Sequence, residues 1–176
     1  MYPYFKAIKV FLQSKFKPGL KIDEESILHL RAGFSDIDMY PEVNNGRHLT
    51  LMDLGRFDLA VRTGLIGLIH RKNWGLVVGG ASIRYRRKIP FFRKFTLTTQ
   101  LLGHDDRWFY FQQTTSRQQK ICSAALIKAG IKSSEGLVPA SAVIKEMGIE
   151  DRSANLPDWV KAWIEAEGKR PWPENI

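Results

Sequence analysis

The chain of 176 residues is 44% hydrophobic and 26% charged, which is the composition of one folded domain and excludes wholesale disorder. Its single cysteine, Cys122, excludes an internal disulfide and any multi-cysteine metal site; we interpret it as a buried structural thiol and expect a reducing, cytoplasmic setting. The net charge of +9 predicts anionic partners in general, without choosing among nucleic acid, membrane surface and phosphate-bearing ligand.

The chain begins with a basic amphipathic segment, residues 1–19, which is closed by Pro18-Gly19. Apolar side chains recur there at helical spacing, with lysines between them, in the run YFKAIKVFLQSKFK. Residues 1–17 could therefore touch an anionic membrane as a peripheral helix, although a terminal helix packed on its own domain is the favoured interpretation. The lysines and the lack of a small-residue cleavage site argue against a secretory signal, and no apolar run reaches the about 20 residues that cross a bilayer.

The next predicted elements are a strand and a long helix. Residues 25–34 alternate in part and predict a strand, while residues 45–69 carry apolar side chains on most sides, which is typical of a buried helix. Gly55, Gly64 and Gly67 weaken this helix, so we expect its later turns to end or bend.

Beyond residue 73 the pattern is almost entirely β. The predicted strands are 74–87, 94–102, 107–116 and 120–130, followed by predicted helices at 140–147 and 157–167. The short turns between the strands favour antiparallel pairing. One buried helix against an antiparallel sheet predicts a single α+β domain, with a core over residues 25–131 and a helical extension over 139–176. The uncovered sheet edges favour a homodimer whose sheet continues across both subunits.

The candidate site lies in the stretch FSDIDMYPEVNNGRHLTLMDLGRFD. Asp36 and Asp38 share one face of a strand end, and either Asn44 or Asn45 is a natural N-cap for the helix. Gly46 lets a ligand approach the first helical turn, where free N–H groups and the helix dipole attract an anion. A carboxylate beside such N–H groups suits acyl transfer, because the N–H groups polarise a carbonyl while the carboxylate attacks it or activates water. On its own, the pattern is more typical of ordinary turn and cap chemistry.

The stretch from Asp36 to Leu49 resembles the signature of hotdog-fold acyl-CoA thioesterases of the 4-hydroxybenzoyl-CoA thioesterase type, which runs Asp-x-Asp, a short loop, Asn-Asn and the central helix. Further similarity, to a thioesterase-superfamily-member branch, lies in residues 83–87, in the turn Gly103-x-Asp105-Asp106-Arg107-Trp108 and in residues 137–139 and 156–157. The resemblance covers most of residues 25–167. It implies a hotdog fold, hydrolysis of an acyl-CoA to free acid and coenzyme A, no cofactor or metal, and a homodimer or dimer of dimers.

The resemblance also implies roles for individual residues. Asp38 falls at the position of the catalytic carboxylate, as nucleophile or general base, and Asn45 falls where a helix N–H contacts the thioester carbonyl. Asp53 is a rival acid, because another hotdog branch carries its acid on the helix itself. An ion pair of Asp53 with Arg56 or Arg84 is the favoured interpretation.

Glu42 departs from the family pattern, in which many relatives have histidine. A glutamate there could orient Asn44 or bind water, or it could mark weak or lost hydrolysis. The predicted substrate-binding residues are Asn44, Gly46, Glu42, His48, Arg84, Arg86 and Arg87, the arginines being suited to the phosphates of coenzyme A. The alternatives are that His48 is simply packed, that the basic run is a solvated face, and that Asp36 is a capping or strand-end residue.

An acyl-CoA thioesterase is the leading hypothesis, and a non-hydrolytic acyl-CoA or acyl-carrier-protein binder, motivated by Glu42, is the alternative. A nucleic-acid module ranks third, because Trp108, Phe109 and Tyr110 on a basic sheet could stack single-stranded bases. These aromatics alternate faces and no nucleic-acid motif is present, so we expect no nucleic-acid partner. A dehydratase would need a His-plus-acid arrangement that the sequence does not offer.

Overall fold

In the computed structural model, which describes residues 2–151 and 156–173, one antiparallel sheet curls around a long helix. The helices are α1 (Tyr4–Lys15), α2 (Asn45–Arg62), α3 (Leu65–Lys72), α4 (Ala140–Met147) and α5 (Asp158–Lys169). The strands are β1 (Ser26–Arg31), β2 (Gly75–Tyr85), β3 (Lys94–His104), β4 (Phe109–Arg117), β5 (Lys120–Ser133) and β6 (Gly136–Val138), with a 3-10 turn at Phe34–Asp36. The predicted α+β hotdog fold, with extra helices at both ends, is confirmed.

The strands are ordered β1-β3-β4-β5-β2, every neighbouring pair is antiparallel, and β6 pairs with the end of β5. β3 is longer than the predicted strand, because Gly103 at φ 151° absorbs a register shift and the strand continues to His104. The turn predicted at residues 103–106 therefore begins only at Asp105. β6 and the 3-10 turn were not predicted, since three residues carry too little periodic pattern to be recognised.

A glycine at the centre of α2 lets the helix lie close to the concave face of the sheet. A Cβ at Gly55 would be 2.2 Å from Oγ1 of Thr99 on β3 and 3.1 Å from Cδ2 of Leu97. In the turn before this glycine, Leu51, Met52 and Leu54 are fully buried. The position of α2 over the sheet therefore depends on the absence of a side chain at residue 55.

The helix predicted over residues 45–69 is two helices. Gly64 takes the left-handed conformation at φ 80°, so α2 ends before it and α3 starts at the next residue. Gly55 and Gly67, which were also expected to weaken the helix, lie inside α2 and α3. Of the three glycines, only the one that adopts a positive φ ends a helix.

A buried carboxylate at each end holds α1 against the domain, the first being Asp36. It is fully buried, forms ion pairs with Lys6 and, at 3.1 Å, with Arg47, and accepts the N–H of Gly33 at 2.8 Å. Burial raises the pKa of Asp36, but these bonds outweigh burial and leave the pKa below its ordinary value. Asp36 therefore caps its own turn, as expected, and also anchors the first turn of α1.

Asp58 on α2 is the second anchor and is also fully buried. Its carboxylate accepts the hydroxyl of Ser14 at 2.6 Å, the hydroxyl of Ser26 at 2.7 Å and the ammonium of Lys17 at 3.0 Å. Arg62, one turn further along α2, lies 3.3 Å away. One carboxylate thus joins the end of α1 to both α2 and β1, and α1 packs on its own domain.

The convex face of the sheet is covered by α5, whose Val160 packs with Tyr110 of β4. Trp108 lies across two glycines of neighbouring strands: a Cβ would be 2.6 Å from its ring at Gly79 and 2.9 Å at Gly130. In the described part of the chain, no helix combines the length and apolar character needed to cross a bilayer.

Candidate functional site

The candidate site is the turn that leads into α2. Asp38 is exposed there, and its two carboxylate oxygens accept the N–H of Tyr40 and the side-chain amide of Asn44, both at 2.9 Å. Oδ1 of Asn44 in turn accepts the N–H of Gly46 at 2.9 Å, so Asn44 is the N-cap of α2. The structure thus decides which of the two asparagines caps the helix, and it joins Asp38 to that cap.

The carboxylate of Asp38 is ionised at neutral pH. Hydrogen bonds from the side chain of Asn44 and from the N–H of Tyr40 hold the pKa of Asp38 below its ordinary value. The first-turn N–H groups of α2 carry the positive end of the helix dipole next to this carboxylate. The N–H groups of Gly46, Arg47 and His48 already donate to Asn44. The turn therefore combines an accessible negative oxygen with the helix N-terminus at Asn45, where a backbone N–H is able to polarise a carbonyl. Asp36, two residues earlier, is buried and belongs to the anchor of α1 instead.

The first turn of α2 is tied to β2, which forms one edge of the sheet. Tyr85 donates its hydroxyl to the carbonyl of the exposed Asn45 at 2.8 Å, and the ring of His48 packs edge-on against Tyr85 at 5.3 Å. His48 is buried with its Nδ1 2.9 Å from Oγ of Ser123, and burial lowers the pKa of His48 to about 4. The imidazole is therefore neutral at physiological pH and bonds to the core strand behind the first turn.

Glu42 lies in the same turn but does not orient the N-cap. Its backbone forms a β-bridge with Pro90, and its carboxylate oxygen is 3.9 Å from Nζ of Lys88. Asp38 holds the amide of Asn44, which is the role that the sequence had offered to Glu42 as one alternative. The contact with Lys88 instead joins the turn to the basic segment that follows β2.

Two of the three predicted phosphate-binding arginines lie in that basic segment, residues 86–88. They come directly after Tyr85 and before Lys88, whose side chains contact Asn45 and Glu42 of the turn. Arg86 and Arg87 are exposed, and the backbone N–H groups of both donate to the carbonyl of Cys122, at 2.7 and 3.0 Å. Arg84 is not brought to the same place. It lies within β2, where alternation turns its side chain away from the face of Tyr85 and into a groove that Trp163 of α5 also lines. The thiol of Cys122 is buried, and burial raises its pKa, as expected for an unreactive structural cysteine.

Asp53 lies in a different environment, about 12 Å further along α2 than Asn45. It forms an ion pair with Arg56, whose guanidinium also donates to the side chain of the buried Gln113. Burial raises the pKa of Asp53, and the charge of Arg56 only partly offsets this effect. Gln113 was not predicted, because nothing in the pattern of a strand marks a glutamine that points into the core. Asp53 is therefore not part of the group formed by Asp38 and its partners.

A cavity of about 240 Å³ opens beside Asp53, between α2 and the sheet. Most of its lining is apolar, contributed by residues that include Phe57, Ala60, Leu76, Val78 and Phe111. Among the residues that the structure describes, no three His, Cys, Asp or Glu side chains come together where a metal ion could be held.

A sequence profile of the thioesterase-like superfamily matches residues 32–164. The chain belongs to this superfamily. It is similar to Protein THEM6 of Drosophila melanogaster, with 28% identity over 160 residues that make up 89% of this chain and 81% of that protein. The matched residues contain the whole candidate turn and the cavity wall on α2, whereas α1 lies before them.

Solved structures share the fold of this thioesterase-like chain. The probable thioesterase YbaW of Escherichia coli superposes with a TM-score of 0.64 at 18% identity, covering 75% of this chain and 99% of that one. The hypothetical protein SAV2348 of Staphylococcus aureus, solved in complex with CoA, gives 0.59 at 12% identity, covering 89% of this chain and 94% of that one. At these identities the matches establish the hotdog architecture.

Proposed function

We propose that this thioesterase-like chain is an acyl-CoA thioesterase. Asp38 is the working carboxylate, as nucleophile or as general base for water, and a backbone N–H near Asn45 polarises the thioester carbonyl. One observation carries the proposal: an exposed, ionised carboxylate is held at the N-terminus of α2 by the residue that caps the helix. Membership of the superfamily supports the reaction class.

The surroundings of the turn support an acyl-CoA as the substrate. Arg86 and Arg87 are exposed in the segment that follows β2, and a guanidinium forms paired hydrogen bonds with phosphate oxygens. One guanidinium nitrogen of Arg87 donates to the carbonyl of Ile121 at 3.1 Å, which leaves its other donors for a phosphate. The neighbour from Staphylococcus aureus was solved with CoA bound. Asn44 and Gly46 lie where the thioester would meet the helix, and the apolar cavity along α2 suits an acyl chain. His48 contributes as packing behind this turn.

A second candidate function is the binding of acyl-CoA or of an acyl-carrier protein without hydrolysis. Both oxygens of Asp38 already accept hydrogen bonds inside the exposed turn, so the carboxylate has partners that involve no reaction. Glu42 adds to this alternative, because it stands where many thioesterases of the resembled type carry histidine.

Thiol release from a panel of acyl-CoAs, from short aliphatic to palmitoyl and one aromatic, tests the proposal. We expect Asp38→Asn to lower turnover at least about a hundredfold, and Asp53→Asn, the control at the rival carboxylate on α2, to change it only a few fold. Turnover lost in Asp53→Asn and kept in Asp38→Asn would show that the catalytic carboxylate is Asp53, which lines the cavity, and not Asp38. No turnover by the wild type, with acyl-CoA raising the melting temperature, would establish the binding function instead.

We also propose that the working unit is a homodimer or a dimer of dimers formed through β2. In the part of the chain that the structure describes, β2 has a strand partner only in β5, which leaves its other edge to pair with a second copy. Leu76 and Val78 on this strand are exposed apolar residues. Light scattering on the purified chain is expected to give the mass of two or four copies, and a single-chain mass would contradict the assembly.

A further inference from the structure

The face of α1 that points to solvent carries an apolar stripe, although Ala7 and Val10 on the inner face already pack into the core. Its apolar stripe consists of Phe5, Ile8, Leu12 and Phe16, whose side chains are 92%, 58%, 51% and 89% exposed. These positions lie on one side of the helix by their spacing. An amphipathic helix on a folded domain ordinarily buries such a stripe and exposes its polar side. Here the apolar stripe runs outward along the full length of α1, which is about 18 Å.

The inward-facing polar groups of α1 account for this orientation. Lys6 pairs with the buried Asp36, and Ser14 donates its hydroxyl to the buried Asp58 at 2.6 Å. A rotation of α1 that covered Phe5 would take these partners away from two carboxylates that water does not reach, and a buried charge tolerates the loss of a partner poorly. The helix is therefore fixed with its apolar stripe outward.

Positive charge borders the apolar stripe. Lys9 and Lys15 are exposed on α1, and no acidic residue precedes Asp23 in the chain. A groove next to α1, which Lys15 also lines, adds the side chains of Lys17, Arg62 and Arg71. A helix with aromatic and aliphatic residues on its outer face and lysines at the borders has the composition of helices that lie in the interface of a membrane.

We propose that α1 docks this protein on the surface of a membrane that contains anionic phospholipids. The apolar stripe enters the boundary between headgroups and acyl chains, while the lysines meet the lipid phosphates. A second copy of the chain suits this face poorly, because a two-fold contact would bring Lys9 and Lys15 of both copies together. The proposal is independent of the proposed hydrolysis, since α1 lies outside the superfamily match at residues 32–164.

Co-sedimentation of the full chain with vesicles tests this docking. The vesicles are pure phosphatidylcholine or phosphatidylcholine mixed with phosphatidylserine, each at low and high salt. We expect strong binding only to the mixed vesicles, weakened by salt. The double change Phe5→Ser and Phe16→Ser is expected to lower this affinity at least about tenfold. The melting temperature should not change, because both rings are exposed. Trp172→Ser, which removes an exposed aromatic outside α1, is the matched control and should bind as the wild type does.

A second pair of changes separates the charge from the apolar contact. Lys9→Gln and Lys15→Gln are expected to weaken binding to the mixed vesicles by roughly fivefold for each lysine, with little effect on pure phosphatidylcholine. Three results would overturn the proposal: no binding by the wild type, equal binding by the double serine variant, or an equal loss in Trp172→Ser. A mass in light scattering that drops by half in the double serine variant would assign the apolar stripe to a second copy and would overturn it as well.

Discussion

The close approach of α2 to the sheet makes Gly55 the most informative position for a test of the fold. Alanine is the better helix former by about 1 kcal/mol, so Gly55→Ala should stabilise the protein if the helix had room. It has none, because the new Cβ would lie 2.2 Å from Oγ1 of Thr99. Thr99 is fully buried and accepts a hydrogen bond from Gln113 at 2.7 Å, so it cannot move without disturbing that bond.

The expected magnitude follows from these contacts. Forcing a methyl group into a packed core costs about 1–3 kcal/mol, and disturbing the buried hydrogen bond of Gln113 costs a further about 1–3 kcal/mol. After the helix-propensity gain, a net loss of about 3 kcal/mol remains for Gly55→Ala. For a chain of this size that corresponds to a melting temperature lower by about 6–12 °C.

Gly67 in α3 is the matched control, because it is a helical glycine with space around it. The nearest atom to a Cβ there is Nη1 of Arg71 at 3.5 Å, an ordinary contact. Gly67→Ala is therefore expected to raise the melting temperature by about 1–4 °C. Differential scanning calorimetry measures both variants. Adding Thr99→Ala to Gly55→Ala should cost less than the sum of the two single changes, since the clash is then removed. Melting temperatures that move in the same direction for both glycines would refute the reasoning.

Three further predictions concern the ionisable groups. Burial raises the pKa of Asp58, but its hydrogen bonds outweigh burial and leave the pKa below its ordinary value. The stabilisation from this carboxylate is therefore complete above the unfolded-state pKa near 4 and is lost as pH falls through the lowered folded-state value. Urea unfolding at pH 3–6 should show that the free energy of unfolding falls less with pH in Asp58→Asn than in the wild type. The pKa of His48, about 4 because of burial, predicts a loss of up to about 3 kcal/mol as pH falls from about 6.5 to 4. An NMR titration of its imidazole with a midpoint above 6 would contradict this. Asp36→Asn is expected to lower the melting temperature by several degrees, while Asp38→Asn leaves it nearly unchanged; equal shifts would mean that Asp38 is also structural.

The sheet and the central helix were predictable because their patterns are local. Strands of five or more residues repeat their buried positions, and the run from Asn45 onward is apolar on most sides. The order of these elements then allowed few arrangements. The N-cap was predictable to within one residue, since either asparagine of the pair is a suitable cap. In the structure it is Asn44 that accepts the N–H of Gly46 and donates to Asp38.

Features that depend on contacts between distant segments could not be predicted. Arg84 stands two residues before Arg86 in the sequence, yet the Trp163 side chain that shares its groove comes from the C-terminal helix. The separation of Asp36 from Asp38 could not be predicted for the same reason. The 3-10 turn breaks the strand periodicity that would have put both carboxylates on one face, and Asp36 forms an ion pair with Lys6 of α1. Periodicity describes an element but not which partner covers it.

The outward apolar stripe of α1 reverses the ordinary relation between hydropathy and tolerance to mutation. A saturation scan of this helix that selects only for folded protein would accept serine or lysine at Phe5 and Phe16 and reject leucine at Lys6 and Ser14, although hydropathy ranks these changes the other way. A second scan, selecting for function at a lipid surface, would reject the same serine and lysine substitutions. The difference between the two scans would then mark the positions that α1 keeps for contact with something outside its own fold.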